Sequence, residues 1–151
     1  MKGSVLNLSS LGEYQRRALH ELLTGGERVA LLVGPTGAGK SRALDTAREG
    51  WERAGYRLVG IAPSAMAAAV LHEEASIPSG TLARFLLDLE NGTRLTNRDV
   101  VVLDEATMAS TDDLDALLRE ITRAGSKLVL VGGPEQLVTS EQLASGRSLA
   151  R

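Results

Sequence analysis

Short apolar runs alternate along this chain with longer stretches in which apolar residues recur every three or four positions. The runs are Val29–Val33, Leu58–Ala62, Val100–Leu103 and Leu128–Val131. Each is short, rich in β-branched residues or leucine, and bounded by polar or glycine-containing segments, as buried strands are. The stretches between them read as helices over Ser41–Gly55, Ala65–Ala75, Thr81–Glu90 and Asp112–Ala124, with a polar loop at Asn91–Asp99. An earlier helix is predicted over Leu11–Thr24, from the spacing of Ala18, Leu19, Leu22 and Leu23, and Gly25-Gly26 ends it. Strands without strict apolar–polar alternation, separated by helices, imply an α/β fold: a parallel sheet with helices on both faces. Residues 1–10 mix polar and apolar positions and are expected to be half ordered.

Local chemistry refines this outline. Thr111 is the expected N-cap of the last helix, and Asp112, Asp113 and Asp115 sit where the helix dipole favours acids. Trp51 and Tyr56 are expected to pack the helix after the first strand onto the sheet. His20 and His72 have no second His or Cys nearby to share a metal and are read as structural.

The chain has 151 residues, 43% of them apolar and 24% charged, which fits one globular domain. A net charge of −2 exerts no general pull on nucleic acid, so any such binding has to be local. The absence of cysteine excludes disulfides and thiolate metal sites and agrees with a reducing, cytoplasmic setting. The richest apolar segment, Ile61–Leu71, is interrupted by Pro63 and too short to span a bilayer. Tyr14, Trp51, Tyr56 and Phe85 are the only aromatic residues. Surfaces that hold single strands by themselves stack bases on aromatic rings, so a stand-alone single-strand binder is disfavoured.

The segment after the first strand carries the strongest chemical signal. Gly34-Pro35-Thr36-Gly37-Ala38-Gly39-Lys40-Ser41 is a complete phosphate-binding loop with a strand before it and a helix after it. Gly34, Gly37 and Gly39 let the backbone turn its N–H groups onto phosphate oxygens. Lys40 reaches the β- and γ-phosphates, Ser41 offers a hydroxyl to Mg²⁺, and the helix N-terminus adds its positive dipole end. The chain is therefore expected to bind a nucleoside triphosphate together with Mg²⁺. Sixty-four residues after Lys40, Val100–Leu103 ends in Asp104-Glu105, at the strand end where α/β sheets place ligands. Asp104 suits Mg²⁺, and Glu105 suits polarising a water as general base. After the last strand, Gln136 is either a γ-phosphate sensor or an idle residue of a surface turn.

Taken together, these segments resemble the first motor domain of superfamily 1 helicases of the RecD-like type. They are most similar to the helicase region of conjugative relaxases of the TraI/TrwC class, and the similarity runs nearly end to end. Leu11–Leu19 resembles the Q motif, which implies that Gln15 contacts adenine. Residues 34–41 match motif I. Ala62-Pro63-Ser64-Ala65-Met66-Ala67-Ala68 resembles motif Ia and Thr81-Leu82-Ala83-Arg84-Phe85-Leu86 the segment containing motif Ib, implying that Pro63, Ser64 and Thr81 touch single-stranded DNA. Asp104–Met108 resembles motif II, and Val131-Gly132-Gly133-Pro134-Glu135-Gln136-Leu137 resembles motif III. The implied fold is RecA-like, with the spatial strand order 29–33, 128–131, 100–103, 58–62. That order sets Gln136 near Lys40, and the implied catalytic group is Lys40, Glu105 and Gln136.

Gly133 stands where the family has Asp, which is expected to weaken coupling between nucleotide and DNA. The resemblance makes residues 1–151 a truncated ATP-binding motor domain whose partner domain, with motifs IV to VI and the arginine finger, lies elsewhere. The chain alone is accordingly expected to bind ATP and barely hydrolyse it. The edge of strand 29–33 is expected to be covered by Ser4–Leu8 or by a second copy of the chain, giving a homodimer. Two other classes compete with the motor: a non-hydrolysing interaction domain and a small-molecule P-loop kinase. A GTPase is disfavoured, since Thr96-Asn97-Arg98-Asp99 is not a guanine-recognition motif.

Overall fold

A computed structural model describes residues 29–33 and 38–132. The order along the chain is β1 (Val29–Val33), α1 (Ala38–Arg53), β2 (Arg57–Ala62), α2 (Ala65–Ala75), β3 (Ser79–Thr81) and α3 (Leu82–Glu90). There follow β4 (Asp99–Asp104), a 3₁₀ turn (Ala106–Met108), α4 (Thr111–Ala124) and β5 (Lys127–Gly132). Among the described residues the five strands form one parallel sheet in the order β1-β5-β4-β2-β3. This is the RecA-like arrangement, with the expected order of four strands intact. The predicted helix Leu11–Thr24 and the edge-covering segment Ser4–Leu8 lie outside the described residues.

Alternation along the central strands feeds two cores. Val100 and Val102 of β4 join Val129 and Val131 of β5 on one face, against Leu44, Ala47 and Trp51 of α1 and Leu71 and Ala75 of α2. Val101 and Leu103 join Leu128 on the other face, against Leu82 at the start of α3 and Leu117 and Ile121 of α4. A β4 covered on both sides reads as an unbroken apolar run for this reason. In α1 the buried positions Ala43, Leu44, Ala47 and Trp51 keep helical spacing, and the two alanines let the helix lie close on the sheet. Trp51 is buried and Tyr56 packs against the same cluster, as expected.

Three details differ from the sequence reading. The last helix is capped by Ser110, whose hydroxyl accepts from Asp113 N–H at 3.1 Å, and not by Thr111, which is its first helical residue. A Ser one place earlier reaches the N–H three residues on, so the cap shifts by one residue. The helix after the phosphate loop begins at Ala38, ahead of Ser41, and ends at Arg53. Finally, Ser79-Gly80-Thr81 is a strand that periodicity does not reveal. It is extended by pairing with Gly60–Ala62, and Gly60 N–H also donates to Pro78 C=O at 2.8 Å.

That pairing depends on Gly60. A Cβ built there would lie 2.2 Å from Ser79 Oγ and 2.8 Å from Leu71 Cδ2. Ser79 Oγ is itself tied to Ile77 C=O at 2.7 Å, so it cannot simply swing away. Gly60→Ala is expected to destabilise the fold by about 1–3 kcal/mol, read as a lower urea midpoint at unchanged slope. An unaltered midpoint would mean that β3 is free to shift.

The polar loop before β4 is fixed at the N-terminal edge of the sheet. Asp99 is buried and accepts from Arg57 Nε and Nη2 at 3.0 and 3.1 Å, and from Thr96 N–H at 2.8 Å. Arg98 lies over the Tyr56 ring, 4.9 Å from its centre. Thr96–Asp99 is thus a structural clasp at the N-terminal edge of the sheet.

Candidate functional site

The C-terminal ends of β1, β5 and β4 form the floor of the site. Val33 is level with Gly132, and Asp104 with Val131, so β5 separates the phosphate-loop strand from the acidic strand. Two interstrand steps leave roughly 10 Å between β1 and β4. This is room for phosphates between the two. Above this floor α1 starts, with Lys40 and Ser41 in its first turn. Its N-terminus directs backbone N–H groups and a positive dipole end at the same edge. Ala38 and Gly39 open the helix, whereas Gly34, Pro35, Thr36 and Gly37 lie outside the described residues.

Asp104 is half-buried at the last position of β4, and its Oδ1 accepts from Glu105 N–H at 3.0 Å. Burial pushes the Asp104 carboxyl above its ordinary range. The Glu105 N–H opposes that shift, the Glu105 charge adds to it, Lys40 opposes it and Glu74 adds to it. Lys40 and Glu74 are therefore both near enough to act on the Asp104 charge. The anion is left under-compensated by the protein, the condition in which a carboxylate gains from a hard cation. Hydroxyl and carboxylate oxygens from Ser41 and Asp104 are ligands of the kind Mg²⁺ takes. No group of three His, Cys, Asp or Glu among the described residues is arranged to enclose a metal. A two-ligand set still suits Mg²⁺, which keeps several waters and draws other ligands from phosphate.

Glu105 leaves strand geometry abruptly, with φ 50° and ψ 51°, and precedes the 3₁₀ turn with its side chain exposed. A left-handed backbone costs a non-glycine residue on the order of 1–2 kcal/mol. Strain of this kind gathers where function holds a residue in place.

Pro63, Ser64 and Thr81 meet at the same sheet edge, because Ala62 is the register partner of Thr81. Pro63 and Ser64 are exposed. Both hydroxyls also serve as helix caps: Ser64 accepts from Ala67 N–H at 3.1 Å and Thr81 from Arg84 N–H at 3.2 Å. His72 is accounted for within its own surroundings, its Nδ1 lying 3.1 Å from Ile77 C=O. His20, Gln15, Gly133 and Gln136 lie outside the described residues.

One member of the site is not visible from sequence. Glu74, in the last turn of α2, accepts a hydrogen bond from Ser41 Oγ at 2.8 Å. An exposed glutamate in a helix of ordinary composition carries no signal, and only the packing of α2 beside α1 brings it to Ser41.

Comparison with known proteins gives the family and the fold. Residues 10–149 match the AAA domain family. A probable conjugal transfer protein TraA of Sinorhizobium fredii is 43% identical over 94% of this chain, and the TraA of Agrobacterium fabrum 42% over 92%. The chain spans about 13% of the length of each. Among solved structures, the large terminase of a thermophilic bacteriophage superposes with a TM-score of 0.65 at 13% identity, over 89% of this chain and 43% of that one. At that identity the likeness concerns the fold. With the family match running almost from end to end, and with kinship to a segment of conjugal transfer proteins as the motifs implied, the chain is a member of the AAA domain family.

Proposed function

We propose that this chain is the ATP-binding motor domain of a DNA helicase of the conjugative relaxase kind, working in the cytoplasm on single-stranded DNA. The observation that carries the reading is the placement of Lys40 and Ser41 in the first turn of α1 with Asp104-Glu105 two strands away at the same sheet edge. In this reading the loop Gly34–Gly39 wraps the phosphates, Lys40 neutralises the β/γ oxygens, and Gln15 reads the adenine. Ser41 and Asp104 would hold Mg²⁺, which when bound offsets phosphate charge. Glu105 accepts a proton from the attacking water, and Gln136 senses the γ-phosphate. Pro63, Ser64 and Thr81 contact the DNA backbone, and their common edge with the nucleotide site supports coupling between the two. A second motor domain completes the machine, and the β1 edge pairs with Ser4–Leu8 or a second copy. Gly133, standing in place of an acidic residue, favours a second reading in which the domain binds nucleotide without hydrolysing it.

Lys40→Ala tests the placement. Charge-assisted hydrogen bonds contribute about 1.5–3 kcal/mol, so affinity for a fluorescent ADP or ATP analogue is expected to fall at least about tenfold. An unchanged titration would remove Lys40 from the site.

A further inference from the structure

We propose that Glu74 is a positioning residue that makes the site prefer metal-bound over metal-free nucleotide, by fixing the Ser41 hydroxyl and adding a negative charge behind it. The inference rests on the Mg–nucleotide reading above. A serine hydroxyl in a helix ordinarily rotates between solvent and the carbonyl one turn back. Here its proton is directed out of the helix, to Glu74 Oε2 at 2.8 Å, across 33 residues of sequence. A hydroxyl whose one proton is committed offers only lone pairs to anything else that approaches. It can then serve a cation and cannot donate to a bare phosphate oxygen.

The acceptor is held in place. Its neighbour Ala75 is fully buried, and α2 is closed immediately afterwards by Ser76 in the left-handed conformation, whose N–H returns to His72 C=O at 3.0 Å. The Glu74 charge also reaches Asp104, so three carboxylates, Glu74, Asp104 and Glu105, share one field with Lys40 as the opposing charge on Asp104. The three negative charges favour a divalent cation beside the phosphates over bare triphosphate. Glu74 needs no direct contact with metal or nucleotide to act in this way.

The test is equilibrium binding of a fluorescent ADP analogue to the 151-residue chain, once in excess Mg²⁺ and once in EDTA, with thermal stability of the nucleotide-free protein measured alongside. Glu74→Ala is expected to lower the ratio of the two affinities roughly tenfold, the Mg²⁺ arm weakening and the EDTA arm unchanged or tighter. Glu74→Gln keeps an acceptor oxygen without the charge and should fall between the two. In a Ser41→Ala background, Glu74→Ala should lower the ratio by less than it does alone, because the orienting part of its action has been lost. A ratio equal to wild type, with only the melting temperature moved, would make Glu74 a tie between helices and overturn the proposal. Tighter Mg²⁺-dependent binding in Glu74→Ala would overturn it too, since Glu74 would then withhold Ser41. Wild-type protein with no Mg²⁺-dependent binding would overturn the nucleotide reading itself, and the inference with it.

Discussion

Purified as the 151-residue chain, the protein is expected to hold Mg–ATP and yet release phosphate close to the uncatalysed background, with little stimulation by single-stranded DNA. Binding groups and catalytic groups are divided differently in this fold. Lys40, Ser41, Asp104 and Glu105 are carried by elements of one domain, so capture of the nucleotide is expected of this domain by itself. Charge developing on the transferred phosphoryl group requires an arginine, a contribution of about 10³ to 10⁵ in rate. Several described arginines are engaged away from the site. Arg48 pairs with Asp45 and Glu52, Arg57 with Asp99 at the opposite sheet edge, and Arg84 with Asp88. The chain covers about 13% of the length of the conjugal transfer proteins it matches, and the arginine is expected from the remainder of such a protein. A coupled phosphate-release assay should therefore show a gain of about 10³ to 10⁵ when this domain is joined to the remainder of such a conjugal transfer protein. Helicase-like turnover by the short chain would contradict this and require an arginine of its own, with Arg147, outside the described residues, the first to test.

In this domain joined to the remainder of a conjugal transfer protein, Glu105→Gln is expected to lower turnover by about 10² to 10⁴, the range attributed to general acid–base catalysis. Glutamine preserves size and a hydrogen-bonding oxygen but cannot take a proton from water. Glu105 is exposed and makes its connection to Asp104 through its own backbone N–H, so the substitution leaves that contact in place. Affinity for Mg–ATP should therefore stay within about threefold of wild type. Turnover retained in Glu105→Gln would remove the carboxylate from catalysis. Affinity lost in parallel with turnover would make it a binding residue. The left-handed backbone at this position gives an independent reason to expect a functional role, because such strain in a non-glycine residue gathers at functional sites.

How much of this was legible in the chain follows from how far apart the interacting residues lie. The strands β1, β2, β4 and β5 announce themselves as apolar runs, and the phosphate loop and Asp104-Glu105 are local spellings of local chemistry. Strand order came from resemblance, since no periodicity says that β5 inserts between β1 and β4. The strand β3 escaped because Ser-Gly-Thr has no apolar pattern. It exists through pairing with β2, made possible by the missing side chain at Gly60. Glu74 escaped for a related reason: its meaning is given by α2 lying beside α1, 33 residues from Ser41. Even the shift of an N-cap from Thr111 to Ser110 reflects geometry, two adjacent hydroxyl residues of which only one reaches the right N–H. Local signals point to a chemistry, and long-range packing decides which further residues stand beside it.

Mg–nucleotide is proposed to occupy the C-terminal edge of the sheet between β1 and β4. At 16.0 kDa the chain suits amide-resolved NMR during titration with Mg–ADP. Shifts are expected to concentrate at the start of α1, from Lys40 to Arg42, and at Asp104 and Glu105, with Arg57, Asp99 and Lys127 at the opposite edge unmoved. Shifts centred on the opposite edge, or no saturable change at any amide, would contradict it.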